Sequence, residues 1–181
     1  THYLPEDIRE HFGDGSAWGV TIEYVHEASP LGTGGALGLL PDSVGDLPLI
    51  LMNGDLLTRL DFGQLLAFHD EHGGEATICV REFEMQVPYG VLELEARKLR
   101  SIVEKPIHRF NVNAGIYVIG PQLRRQVHAG EKIDMTTLLE QRLAAGGHIS
   151  AFPLHEYWLD IGMLKDFERA QRDILRWQEQ A

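Results

Sequence analysis

Cysteine is nearly absent. A single residue, Cys79, in 181 excludes a disulfide framework and a cysteine-rich zinc site. It lies in an apolar, strand-like stretch with no evident histidine partner, so it reads as a small core residue rather than a nucleophile. No apolar run approaches the ~20 residues that a membrane helix needs, and no signal-peptide pattern is visible; cytoplasm is the default expectation. Positive charge is also scarce: 16 Lys and Arg stand against 27 Asp and Glu, for a net charge of -11. That excludes the basic footprint of nonspecific nucleic-acid binding. It leaves room for one small anionic ligand held by locally placed cations. Arg97, Lys98, Arg100, Lys105 and Arg109 fall in one short stretch and read mostly as a solvated hairpin. There is no G-x-S-x-G elbow, so nucleophilic hydrolysis is unsupported. The first methionine is Met52, and a chain opening on Thr1 reads as a fragment or processed product.

The length suggests one domain, 1–181, able to bury roughly 70% of its unfolded surface without staples. An apolar content of 44% with 24% charge is that of a soluble globular protein. Helical and strand-like segments alternate, which predicts an α/β fold with a mostly parallel, mixed sheet. Pro5 opens a short helix. Val20, Ile22 and Tyr24 alternate as a strand over 20–25. Residues 32–40 read as a Gly-rich loop entering a helix, and 48–52 as a buried strand. Asp61 caps a helix with Phe62, Leu65, Leu66 and His69 on one face. Strands follow at 76–80, 113–119 and 149–154, and a hairpin at 89–104. One helix over 135–145 turns Met135, Leu138, Leu139 and Leu143 inward. A last helix over 164–177 presents Phe167, Ala170, Ile174 and Trp177 on one side.

Chemistry concentrates at strand ends. The run Leu49-Ile50-Leu51-Met52 leads into Asn53-Gly54-Asp55, bringing a carboxylate to the ligand-binding end of a strand. A second carboxylate, Asp160, stands in Tyr157-Trp158-Leu159-Asp160-Ile161-Gly162, and two such groups can hold a divalent cation. Asp55 taken alone reads equally as a structural turn carboxylate, but it is free for the metal because the next helix has its own cap in Asp61. Leu31-Gly32-Thr33-Gly34-Gly35-Ala36-Leu37 lets backbone N–H groups approach a ligand. It fails the dinucleotide fingerprint, since Leu37 replaces the third glycine; a plain turn into a helix remains the other reading. Pro106 ends a strand after Glu104-Lys105 and aims Lys105 near the ligand end. Pro88-Tyr89-Gly90 brings a ring and bare backbone to a strand start. Asn113-Ala114-Gly115 sets a polar side chain among small neighbours. Each of these three, taken alone, reads as ordinary surface. His69 and His72 share a helix face without a completing ligand set and read as surface or rim residues. Asp61-Phe62-Gly63 spells a kinase magnesium motif without its companions and is set aside.

The ordered series LGTGGAL, LMNGD, PYG, EKP, NAGIY and YWLDIG resembles the sugar-1-phosphate nucleotidyltransferases across nearly the whole chain. It is most similar to the mannose-1-phosphate guanylyltransferase-like group, and in wording to bacterial members with upstream CBS domains. The resemblance implies a Rossmann-like nucleotide-diphospho-sugar transferase fold. It also implies a reaction in which a sugar 1-phosphate attacks the α-phosphorus of a nucleoside triphosphate. Pyrophosphate leaves and a nucleotide sugar, by this resemblance GDP-linked, is formed for surface glycan synthesis. By position, Asp55 and Asp160 would bind Mg2+. Gly32 and Thr33 would lie near the base, and Gly54 would also be substrate-binding. Tyr89, Gly90, Glu104 and Asn113 would face the sugar hydroxyls, Lys105 would grip the sugar phosphate, and Trp158 would pack behind Asp160. The implied partners are GTP and a sugar 1-phosphate, with neither nucleic acid nor membrane.

One part of the family pattern has no counterpart. The family opens with a strand and the loop G-x-G-T-x-R, followed by Pro-Lys, which wraps the triphosphate. Residues 1–12 resemble the tail of the family's second strand and the helix after it, so the domain is expected to be truncated at its N-terminus. The missing strand would lie between 20–25 and 49–52. Its loss would leave open edges that favour a homo-oligomer or swapped dimer. Two readings follow: a truncated catalytic domain, inactive by itself, or a noncatalytic sugar-nucleotide-binding or regulatory module.

Overall fold

A computed structural model describes residues 4–178; the strand tail expected at residues 1–3 lies outside them. The elements in chain order are α1 (Pro5–Phe12), α2 (Gly32–Gly35), β1 (Leu49–Met52), β2 (Leu56–Thr58), α3 (Phe62–His72), β3 (Ala76–Gln86), β4 (Gly90–Glu95), β5 (Lys98–Glu104), β6 (Ile107–Ile119), α4 (Pro121–Arg124), α5 (Met135–Ala144), β7 (Ile149–Pro153), β8 (Trp158–Asp160) and α6 (Leu164–Gln178). Four strands form a sheet in the order β1-β6-β3-β7, while β2 with β8 and β4 with β5 form antiparallel pairs. The non-sequential order requires crossovers, as expected when strands and helices alternate.

Two compact units divide the chain. The first runs up to Leu51 and adds His69–Thr77 and Val118–Ser150. Val118, Ile119, Leu123 and Met135 are fully buried in it. Arg142 donates from Nε and Nη2 to both carboxylate oxygens of Glu75, at 2.7 Å each. This two-toothed pairing fixes the end of α5 to the residue before β3. The second unit comprises Met52–Phe68, Ile78–Tyr117 and the chain from Ala151 on. Leu65, Cys79, Ala114 and Ile116 form its fully buried core. Burial, with Glu156 adding repulsion, pushes the Cys79 thiol up to about 12, in keeping with a core role.

Local signals hold where they are short-range. Asp61 Oδ1 accepts the N–H groups of Gly63 and Gln64 at 2.8 and 3.1 Å and starts α3. The hairpin forms as β4 and β5, with a bulge at Glu93/Leu94. Several expectations need correction. Residues 20–25 are not a strand: Val20 N–H donates to Gly15 O, Ile22 N–H to Asp14 O and Tyr24 Oη–H to Gly13 O, so the segment folds onto its own preceding turn. Strand β1 is half-buried rather than buried, because it stands at an end of the sheet order. The glycine-rich segment is itself helical from Gly32, and passes into a 3-10 turn, Ala36–Leu39. Leu143 is 57% exposed on α5, and on α6 only Ala170 is buried. His69 is buried, not at the rim; its Nδ1 meets Thr77 Oγ1 at 2.9 Å.

Candidate functional site

The second unit holds most of the predicted residues. Asp55 lies in the turn between β1 and β2, and Asp160 closes β8. The β2–β8 ladder sets Leu56 opposite Asp160, and Ile161 N–H donates to Asp55 O at 2.8 Å. Two carboxylates 105 positions apart in the chain thus become backbone neighbours. Both residues are exposed, and among the described residues neither carboxylate enters a hydrogen bond or ion pair. No cluster of three or more His, Cys, Asp or Glu gathers among those residues. This donor set suits magnesium, which takes one or two carboxylates and completes its shell with water and phosphate oxygens. Gly54, before Asp55, has open space where a side chain would stand.

The turn that carries Asp55 is tied to β6. Asn53 N–H donates to Gly115 O at 2.9 Å. Gly115 has φ +69°, and a Cβ on it would lie 2.7 Å from Asn53 Nδ2, so both conformation and space demand glycine. Asn113 is exposed but oriented: its Nδ2 donates to Tyr117 Oη at 2.6 Å, and its Oδ1 accepts Gly115 N–H at 2.9 Å. One amide hydrogen and one lone pair remain for a ligand. Burial, the largest influence on Tyr117, raises its pKa against the opposing Asn113 bond, so its hydroxyl stays protonated as a fixed prop. Trp158 Nε1–H donates to Ala114 O at 2.9 Å, which fastens β8, and with it Asp160, to the same stretch of β6.

At the hairpin root Gly90 stands opposite Glu104. A Cβ at Gly90 would lie 3.0 Å from Glu104 Oε2; the missing side chain lets this carboxylate lie over bare backbone. Lys105 N–H donates to Tyr89 O at 3.3 Å. Lys105 itself adopts φ +47°, the left-handed region that a lysine ahead of a proline rarely enters. Tyr89 is 74% exposed. The structure therefore brings Tyr89, Gly90, Glu104 and Lys105 together.

Gly32 and Thr33 belong to the first unit. Thr33 N–H donates to Asp134 Oδ1 at 3.1 Å, while Thr33 Oγ1 accepts Met135 N–H at 2.9 Å. Sequence reasoning missed Asp134. Standing just before a helix, it resembles an ordinary N-cap, yet it makes no cap bond to its own helix. A cavity of about 330 Å³ lined by Val80, Arg81, Glu82, Asn111, Pro153, Leu154 and His155 contains none of the predicted residues.

Likeness to solved structures shows a nucleotide-diphospho-sugar transferase fold. A solved structure of HddC from Yersinia pseudotuberculosis, complexed with GMP-PN, superposes with a TM-score of 0.70 at 23% identity, covering 96% of this chain and 76% of that one. The nucleotidyl transferase family model matches residues 1–176, and the chain belongs to that family. Similar proteins include the mannose-1-phosphate guanylyltransferase catalytic subunit beta of Dictyostelium discoideum, 35% identical over 154 residues, covering 82% of this chain. The mannose-1-phosphate guanyltransferase of Aspergillus fumigatus is 32% identical over 161 residues, covering 83% of this chain. The matched part spans 43% of the length of each of these two relatives.

Proposed function

We propose that the protein forms a nucleotide sugar. The oxygen of a sugar 1-phosphate attacks the α-phosphorus of a nucleoside triphosphate, a phosphorus–oxygen bond breaks, and pyrophosphate leaves. The adjacency of Asp55 and Asp160 across the β2–β8 ladder carries this reading. Names of relatives at 32–35% identity favour GTP as donor. The attacking phosphate oxygen is already ionised, so catalysis reduces to positioning and charge neutralisation. Mg2+, when bound, would supply charge neutralisation at the phosphates, and Asp55 and Asp160 are the residues that would hold it. Lys105 meets the sugar phosphate with its ammonium group. Glu104 accepts from sugar hydroxyls, Asn113 contributes its remaining amide hydrogen, and Tyr89 and Gly90 offer a ring and open backbone. Gly32 and Thr33 lie in the loop that faces the base.

The sequence contains no G-x-G-T-x-R. The triphosphate grip is the part of the reaction to which none of the residues named above is assigned. The second reading is a noncatalytic nucleotide-sugar-binding module. Calorimetry with GDP-mannose, with and without Mg2+, together with a pyrophosphate-release assay on GTP and mannose 1-phosphate, tests both. The expected result is Mg2+-dependent binding that Asp55→Asn weakens by about tenfold, the loss of one charged ligand. Absence of both binding and release across a panel of nucleotides and sugars would sink the proposal. Pyrophosphate release that Asp55→Asn abolishes would reject the noncatalytic module.

A further inference from the structure

The N-terminus of α5 and the glycine-rich loop exchange their hydrogen-bonding groups. Asp134 occupies the N-cap position of α5, but its carboxylate serves the loop by accepting Thr33 N–H at 3.1 Å. In return the Thr33 hydroxyl oxygen accepts Met135 N–H at 2.9 Å, the first donor of α5. Two backbone bonds run beside this exchange: Gly34 N–H to Ile133 O and Ile133 N–H to Leu31 O, both 2.9 Å. Gly32 completes the clasp. Its φ is +77°, and a Cβ there would lie 2.6 Å from Asp134 Oδ1 and 2.7 Å from Ile133 O.

The chemistry of the clasp constrains what the loop can still offer. The Thr33 amide and one lone pair of its hydroxyl are already committed, so Thr33 cannot meet a ligand through them. A four-residue helical turn rich in glycine has little stiffness of its own. It holds one shape because a carboxylate and a helix end, far away in sequence, pin it. We propose that Asp134 is a positioning residue that sets the base-facing loop of the nucleotide site, acting through Thr33. This rests on the assignment of the Gly32–Thr33 loop to the base. Asp134 touches neither phosphate nor sugar in this scheme, so its influence is confined to ligands that carry a base.

Calorimetric titration of the full chain with GDP-mannose and, separately, with mannose 1-phosphate tests this, alongside amide hydrogen exchange at Thr33. In Asp134→Ala the Thr33 amide exchanges faster and GDP-mannose binds about tenfold more weakly, as loss of one charge-assisted hydrogen bond implies. Affinity for mannose 1-phosphate stays within twofold. Asp134→Asn, which keeps the oxygen acceptor, restores most of the loss, and Thr33→Val reproduces it from the other side. Where Asp134→Ala fails to fold, the Asn and Val variants carry the comparison. Equal weakening for both ligands would reduce Asp134 to a general structural role and overturn the inference. So would unchanged GDP-mannose affinity with a released Thr33 amide. If the unaltered chain binds mannose 1-phosphate but no nucleotide sugar, the assignment of the loop to the base fails, and the inference falls with it.

Discussion

Lys105 combines an unfavourable backbone with the charge proposed to meet the sugar phosphate. A non-glycine residue in the left-handed region costs about 1–2 kcal/mol. Lys105→Gly is therefore expected to stabilise the fold by about 1 kcal/mol, read from urea denaturation. On the proposed role of Lys105, the same change should weaken mannose 1-phosphate binding at least tenfold, as loss of a charge-assisted contact implies. His69 makes the pH dependence explicit. Burial, opposed by the nearby Asp70 charge, holds its pKa below the ordinary 6.5. The unfolded chain then takes up a proton as pH falls past 6.5, while the folded chain resists until lower pH. Stability contributed by the neutral ring is complete above that value and is lost as pH drops through it toward the folded pKa. The urea midpoint should decline from pH 7 to pH 5, and His69→Gln should flatten that decline. Neither behaviour was legible beforehand. The Thr77 partner that buries His69 lies on another element, and the backbone state of Lys105 runs against the habit of residues before proline.

Among the elements, the two three-residue strands matter most for the site. Trp158 Nε1–H is the side-chain bond that fastens β8 to β6. Trp158→Phe would keep a ring but remove a hydrogen-bond donor from the carbonyl of Ala114, a fully buried residue. A loss of about 1–3 kcal/mol in unfolding free energy is expected, with weaker Mg2+-dependent binding of GDP-mannose as Asp160 loosens. A circular-dichroism denaturation series beside calorimetry would measure both. Strands this short have no periodicity to read, so the ladder that joins Asp55 to Asp160 was invisible, although both aspartates were found from their flanking motifs. Helix α3 and the hairpin were legible because Asp61 and the turn after Glu95 act within a few residues of themselves. The alternation at Val20, Ile22 and Tyr24 misled for the opposite reason. A strand needs a ladder as well as a pattern, and local donors closed onto the turn at Asp14 and Gly15 instead.

At the scale of the molecule, charge and site pull in different directions. A chain with net charge -11 is proposed to take two anionic substrates, so neutralisation must be local; Lys105, and Mg2+ that Asp55 and Asp160 would hold, are the proposed means. Motif order across the chain revealed family and fold despite this unfavourable total, because each motif names a position at a strand end. What motif order left out is Asp134, whose partner Thr33 stands 101 positions away. That separation carries a consequence for how the protein comes into being. Synthesis proceeds at roughly 5–20 residues per second, so Thr33 must wait at least several seconds before Asp134 leaves the ribosome. Until then the glycine-rich turn has no clasp to shape it, and its final form waits on a residue made 101 positions later.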